Sequence, residues 1–151
     1  MVIITKNIVS ELQAYLSSHK QDKVFVLTDT NTREKCLPLL EKVLADKEAE
    51  YITIEAGDTH KGIEQVSAIW DILSKGGASR NSLLINIGVG LVTDLGGFAD
   101  ATVKRGLHNL NIQITLMASV AAAIGGKNAI HFNGLKHEIG SFYQPDGVIY
   151  D

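Results

Sequence analysis

Leu83 to Ile87, a run of mostly branched apolar residues, leads straight into Gly88-Val89-Gly90. Directly afterwards Val92, Leu95, Ala99 and Val103 recur on one helical face. A strand that ends in glycines and opens a helix presents bare backbone N–H groups at the positive end of the helix dipole, where a phosphate can sit. The same glycines would also serve a tight turn for purely conformational reasons. Asp29 closes a second apolar run, Lys23 to Thr28. There a carboxylate can accept hydrogen bonds from ribose hydroxyls, or cap the helix that Thr30, Asn31 and Thr32 would begin. Asp94 falls in the first turn after the glycines, where the dipole favours an acid in any case. Arg105, Lys127 and Lys136 stand in a segment otherwise poor in charge, with Gly125-Gly126 beside Lys127. They read as an anion site or as scattered solvated cations. His19, His60, His108 and His131 have no ligand spacing, and adjacent His137 and Glu138 would point apart on a helix, so no metal site is assigned.

The elements that must position these residues alternate. Ile8, Leu12, Tyr15 and Leu16 mark a helix face with Asn7 as its N-cap. Leu37, Leu40, Val43 and Leu44 predict a second helix, with Pro38 near its first turn or kinking it. Tyr51 to Ile54 alternates as a strand, and Ile63, Val66, Ile69, Trp70 and Leu73 form a stripe stopped by Gly76-Gly77. Strands alternating with helices of ten to fifteen residues predict βαβ crossovers: an α/β, Rossmann-like, mainly parallel sheet flanked by helices, in a single domain. Ligands of such sheets bind beyond the carboxyl ends of the strands. Asp29, Gly57 to Lys61, Gly88 to Asp94 and Ile114-Thr115 all follow strand-like runs and should converge on one rim.

Composition sets bounds. At 151 residues the chain has room for one core. A net charge of -3 argues against a nucleic-acid or anionic-membrane surface, and no apolar run approaches the ~18 residues of a membrane span. The single Cys36 forms no internal disulfide, which fits a reducing, cytoplasmic compartment. Of the 31 charged residues, 22 lie in the first 80 positions, so the low-charge stretches Leu107 to Leu116 and Met117 to Ile124 are expected to leave apolar patches and to drive self-association.

Further blocks follow in order: Lys104-Arg105-Gly106, Ile124-Gly-Gly-Lys127, Leu135-Lys136 and Ile139-Gly-Ser-Phe-Tyr-Gln-Pro145. Together with Leu83 to Asp94, Leu95-Gly-Gly-Phe98 and Ala56-Gly-Asp-Thr-His-Lys61, they resemble the 3-dehydroquinate synthase family of sugar phosphate cyclases over essentially the whole chain. The resemblance implies an NAD-dependent cyclase. It converts 3-deoxy-D-arabino-heptulosonate 7-phosphate to 3-dehydroquinate and phosphate in the shikimate pathway, by transient oxidation, phosphate elimination, reduction and aldol closure. It implies cofactor contacts from Asp29, Asp58, Lys61, Gly88, Val89, Gly90, Asp94, Thr115, Lys127 and Lys136. It implies substrate-phosphate contacts from Arg105, Lys127 and His137, and a homodimer. Residues 1–151 then correspond to the NAD-binding N-terminal domain. The zinc- or cobalt-binding domain, which supplies one Glu and two His ligands, lies outside this sequence, and residues 1–151 alone are expected to be inactive.

The departures fall at the chemistry. Val89 replaces the middle of three glycines, where a branched side chain meets the pyrophosphate path and tolerates positive φ poorly. Asp58 shortens the family's Glu, and leaves open a plain exposed loop for Asp58 and Lys61. Gln113-Ile114-Thr115 replaces Pro-Thr-Thr, Ala121 stands where the family has a carboxylate, and His137 replaces Asn. Two other readings stay open: another sugar phosphate cyclase, of the inosose or valiolone type, and a non-catalytic scaffold.

Overall fold

The structure is a computed structural model that describes residues 2–57, 61–88, 90–104, 106–113, 127–132, 135–142 and 145–150, with backbone alone for 127–132, 135–142 and 150. Asn7 caps the first helix, α1 (Ile8–Ser18), its side chain accepting the Ser10 N–H at 3.1 Å. The strands are β1 (Val2–Ile4), β2 (Val24–Asp29), β3 (Glu50–Ile54), β4 (Leu83–Ile87), β5 (His108–Gln113), β6 (Lys127–Phe132), β7 (Leu135–Phe142) and β8 (Gly147–Tyr150). The remaining helices are α2 (Thr30–Lys35), α3 (Glu41–Ala45), α4 (Ile63–Lys75) and α5 (Leu91–Thr102). Six strands form one parallel sheet in the order β1-β8-β5-β4-β2-β3, and β6 and β7 form a separate antiparallel hairpin. The α/β, Rossmann-like expectation therefore holds.

Period-two side chains divide the core between the two faces. Phe25, Leu27 and Leu84 pack with Val66, Ile69, Leu73, Leu95 and Ala99 of α4 and α5. Val24, Val26, Ile85 and Ile87 pack with Leu12 and Leu16 of α1 and with Leu40 and Leu44. Trp70 ties α4 to α5, its indole N–H donating to Thr102 Oγ1 at 2.8 Å.

Two expectations need correction. In place of a single helix through Leu37 to Leu44 there is a 3₁₀ turn at Leu37–Leu39 followed by α3. Pro38 sits at the start of that turn, where its missing N–H and fixed φ suit a new helix start and not the interior of a longer one. The described part of the low-charge segment, Leu107 to Gln113, is no exposed patch. β5 lies inside the sheet between β4 and β8, with Leu107, Leu110 and Ile112 buried. The rest of that segment, and Met117 to Ile124, lies outside the described residues.

Candidate functional site

The chain crosses from β2 to β3 on one side and then returns to place β4 on the other side of β2. That reversal opens a crevice beyond the carboxyl ends of β2 and β4, the usual ligand position in such sheets. Gly88 and Gly90 stand at its edge. Gly88 has φ +143° and donates its N–H to the Ile112 carbonyl at 3.0 Å, holding the turn against β5. Gly90 has φ +57° and ψ -99° and begins α5 without any side-chain cap. The first intrahelical bond runs from Asp94 N–H to the Gly90 carbonyl at 2.9 Å. The preceding amides of Leu91, Val92 and Thr93 are thus the end donors of a twelve-residue helix, directed at the crevice. Among the described residues a Cβ placed on Gly90 would meet nothing within 4 Å, so bare backbone is presented there.

Asp29 ends β2 on the other side of the crevice. Its Oδ1 accepts the Thr32 N–H at 2.8 Å, while Thr32 Oγ1 accepts the Asp29 N–H at 3.0 Å. The capping alternative is therefore present. It engages Oδ1 and leaves Oδ2 outside the hydrogen bonds among the described residues. The start of α2 also touches the glycine turn, because a Cβ on Gly88 would stand 3.3 Å from Thr32 Cγ2.

Lys61 is 2% exposed, so the exposed-loop alternative fails for it. Its ammonium forms an ion pair with the Asp94 carboxylate in the first turn of α5. A buried ammonium requires such a partner. The structure thus brings Asp29, Lys61, Gly88, Gly90 and Asp94 to one rim. Asp58, Val89, Arg105, Thr115 and Ala121 lie outside the described residues. Lys127, Lys136 and His137 are placed by backbone only, in the hairpin that packs along α5. Its register pairs Lys127 with Phe142 at the open end, whereas Lys136 follows Leu135 at the turn end. At ~3.4 Å per residue their backbones stand about 15 Å apart along the ribbon, at different points of the hairpin.

Sequence reasoning missed the polar layer beneath α5. Asn86, Asn109, Asn111 and Gln113 are all buried on that sheet face. Its signal was legible in the lone amide inside Leu83-Leu-Ile-Asn-Ile87 and the alternate polar positions of β5. Asp100, on the buried side of α5, was also overlooked. Burial, then the charge of Asp146, holds its carboxyl well above the usual carboxylate range. A half-open cleft of about 460 Å³, lined in part by Tyr15, His19, His108 and Asp146, lies at the opposite, amino ends of the strands. Its position sets it apart from the crevice. Among the described residues no cluster of three or more His, Cys, Asp or Glu could hold a metal ion, and no helix is long and apolar enough to cross a membrane.

Residues 51–151 match the family described as 3-dehydroquinate synthase N-terminal. The chain is 57% identical to the 3-dehydroquinate synthase of Parabacteroides distasonis over 150 residues, which are 99% of this chain and 42% of that protein. Among solved structures, 2-deoxy-scyllo-inosose synthase complexed with carbaglucose-6-phosphate, NAD+ and Co2+ superposes with a TM-score of 0.90 at 17% identity, over 99% of this chain and 42% of that one. The 2-epi-5-epi-valiolone synthase of Streptomyces hygroscopicus, with NAD+ and Zn2+ bound, gives 0.85 at 23% identity, over 100% and 42%. At those identities the two structures establish the fold. This chain spans 42% of the length of the Parabacteroides relative. With the matched family covering 51–151 and a parallel sheet carrying the glycine turn at its switch point, the chain belongs to the 3-dehydroquinate synthase N-terminal family.

Proposed function

We propose that this chain is the NAD-binding part of a 3-dehydroquinate synthase acting in the shikimate pathway. The observation that carries the reading is the α5 N-terminus at the switch point, free of a side-chain cap and preceded by two positive-φ glycines. A cradle that a Cβ on Gly90 would enter is what a pyrophosphate needs. In this reading the amides of Leu91 to Thr93 hold the pyrophosphate and Asp29 Oδ2 meets ribose. Lys61 and Asp94 hold the loop after β3 to the first turn of α5 and border the remainder of the cofactor. Asp58, Val89, Thr115, Lys127 and Lys136 complete the cofactor contacts, and Arg105, Lys127 and His137 take the substrate phosphate. NAD, when bound, would supply a transient hydride acceptor for a phosphorylated sugar acid. Zinc or cobalt would be held by a part of the family protein outside this sequence. The identity of 57% to a dehydroquinate synthase, against 17% and 23% to the inosose and valiolone synthases, favours dehydroquinate chemistry over those alternatives.

Calorimetric titration of the 151-residue chain with NAD tests the reading. We expect one site per chain, with adenosine diphosphate ribose competing. A folded chain that takes up neither compound would leave it a scaffold. A two-fold homodimer belongs to the same proposal. Its support is the exposure of Val2 (45%) and Ile4 (72%) on the edge strand β1, in place of the buried Leu107 to Gln113. Light scattering that gave a monomer at tens of micromolar would remove it.

A further inference from the structure

Asn86 is the one amide in an otherwise apolar strand, β4, and it is fully buried. Its Nδ2 donates to Asn109 Oδ1 at 2.8 Å and to Asn111 Oδ1 at 3.0 Å, so the amide plane is pinned by two bonds from the neighbouring strand. Its Oδ1 has no hydrogen-bond partner among the described residues and faces α5. The residue of α5 that meets it is Gly96. A Cβ on Gly96 would stand 1.9 Å from Asn86 Oδ1 and 2.6 Å from Cγ. The helix thus rests directly on the amide. No other residue fits there unless the helix or the amide retreats by about 1 Å, and the amide cannot turn away without giving up both its bonds. Gly96 lies five residues inside α5, about 7.5 Å from its first residue. Any lift at Gly96 is therefore transmitted along a rigid rod to Leu91, Val92, Thr93 and the Lys61–Asp94 pair.

We propose that Asn86, pinned by Asn109 and Asn111 and met by Gly96, is a positioning residue of the nucleotide site that sets the height of the α5 N-terminus over the rim. The proposal rests on the NAD reading for its functional consequence and on the packing alone for its structural one. Backbone donors act on a phosphate only over a few tenths of an ångström, and a displacement of ~1 Å can cost as much as ~100-fold where geometry is exacting. A merely structural contact would alter stability and leave the affinity of the folded protein unchanged.

The test is a double-mutant cycle on the 151-residue chain: the parent, Gly96→Ala, Asn86→Ala, and the two together. NAD affinity, melting temperature and amide exchange at Asp94 and Leu95 are measured on each. Gly96→Ala is expected to weaken NAD binding at least tenfold when Asn86 is present and less than threefold when residue 86 has been shortened to alanine. Equal losses in the two backgrounds, or normal affinity in folded Gly96→Ala, would overturn the proposal. Should Gly96→Ala fail to fold, Asn86→Gln delivers a similar lift from the sheet side. It is expected to weaken NAD binding in the same direction, and unchanged affinity there would count against the idea. Should the parent bind no NAD, the cofactor reading falls by itself. Exchange at Asp94 and Leu95 then still decides the positioning claim, since it should quicken in Gly96→Ala and recover in the double variant. Exchange that stays slow in Gly96→Ala would refute the claim.

Discussion

Replacing Gly90 by alanine separates the conformational role of the glycine turn from its role as a cradle. Among the described residues the new Cβ meets no atom within 4 Å, so the cost to folding is reckoned from the backbone. At φ +57° and ψ -99° the residue lies outside the regions an L side chain adopts readily, a strain of ~1–3 kcal/mol. For a chain of this size each kcal/mol lowers the melting temperature by roughly 2–4 °C, so a fall of about 2–12 °C is expected. The space around that Cβ is where the pyrophosphate is placed, and a tenfold loss of affinity needs only ~1.4 kcal/mol of lost contact. NAD binding, by calorimetry on the folded variant, should therefore drop at least tenfold. Gly88→Ala supplies the contrast. Its Cβ would stand 3.0 Å from Val92 Cγ2 and 3.3 Å from Thr32 Cγ2, so crowding adds to strain and stability suffers more than at Gly90. A folded Gly90→Ala chain that bound NAD within twofold of the parent would refute the placement of the pyrophosphate.

Asp100 carries a pH prediction. Its carboxyl is buried, and its pKa is raised by that burial and by the charge of Asp146, against a smaller lowering by the Leu107 N–H. The folded state therefore keeps the proton while the unfolded chain releases it above pH ~3.9. Stability should then fall as pH rises from there to the raised native value, by up to ~1.4 kcal/mol per unit, and Asp100→Asn should flatten that slope. Denaturant midpoints for parent and variant between pH 4 and 8 check this, and parallel curves would contradict it. The 151-residue chain should release no phosphate from the heptulosonate substrate above the buffer rate, even with NAD and zinc or cobalt. Ala121 brings no carboxylate, and too few groups remain to meet developing charge. Turnover in a contaminant-free preparation would show that assignment to be wrong.

The parts of the fold that were legible in sequence are those with strong local signals. Asn7 and the Ile8, Leu12, Tyr15, Leu16 face marked α1, and Gly76-Gly77 marked the end of α4, where Gly77 takes φ +76°. The apolar runs ending at Asp29 and Ile87 gave β2 and β4, and with them the rim. β1 and β8 have three and four residues, too few for a period, and exist because Val2 and Val148 pair across the whole chain. Leu107 to Leu116 was expected to be exposed because it is poor in charge, but charge says nothing of place in the sheet, and β5 lies between β4 and β8 with Leu107, Leu110 and Ile112 buried. The Lys61–Asp94 pair joins residues 33 apart, and no spacing rule predicts a partner at that distance. The capping of α2 by Asp29 was one of two readings that sequence left open. A carboxylate has two oxygens, so the observed bond does not displace the other reading.

The most direct test of the account is a titration of ¹⁵N-labelled chain with NAD followed by amide resonances. The account predicts that Gly90, Leu91, Val92 and Thr93 shift together with Asp29 and Lys61, along one saturating curve, while His108 and Asp146 at the opposite end of the sheet stay still. Shifts confined to the cleft of Tyr15, His19 and His108, or none in a folded chain at millimolar NAD, would contradict it.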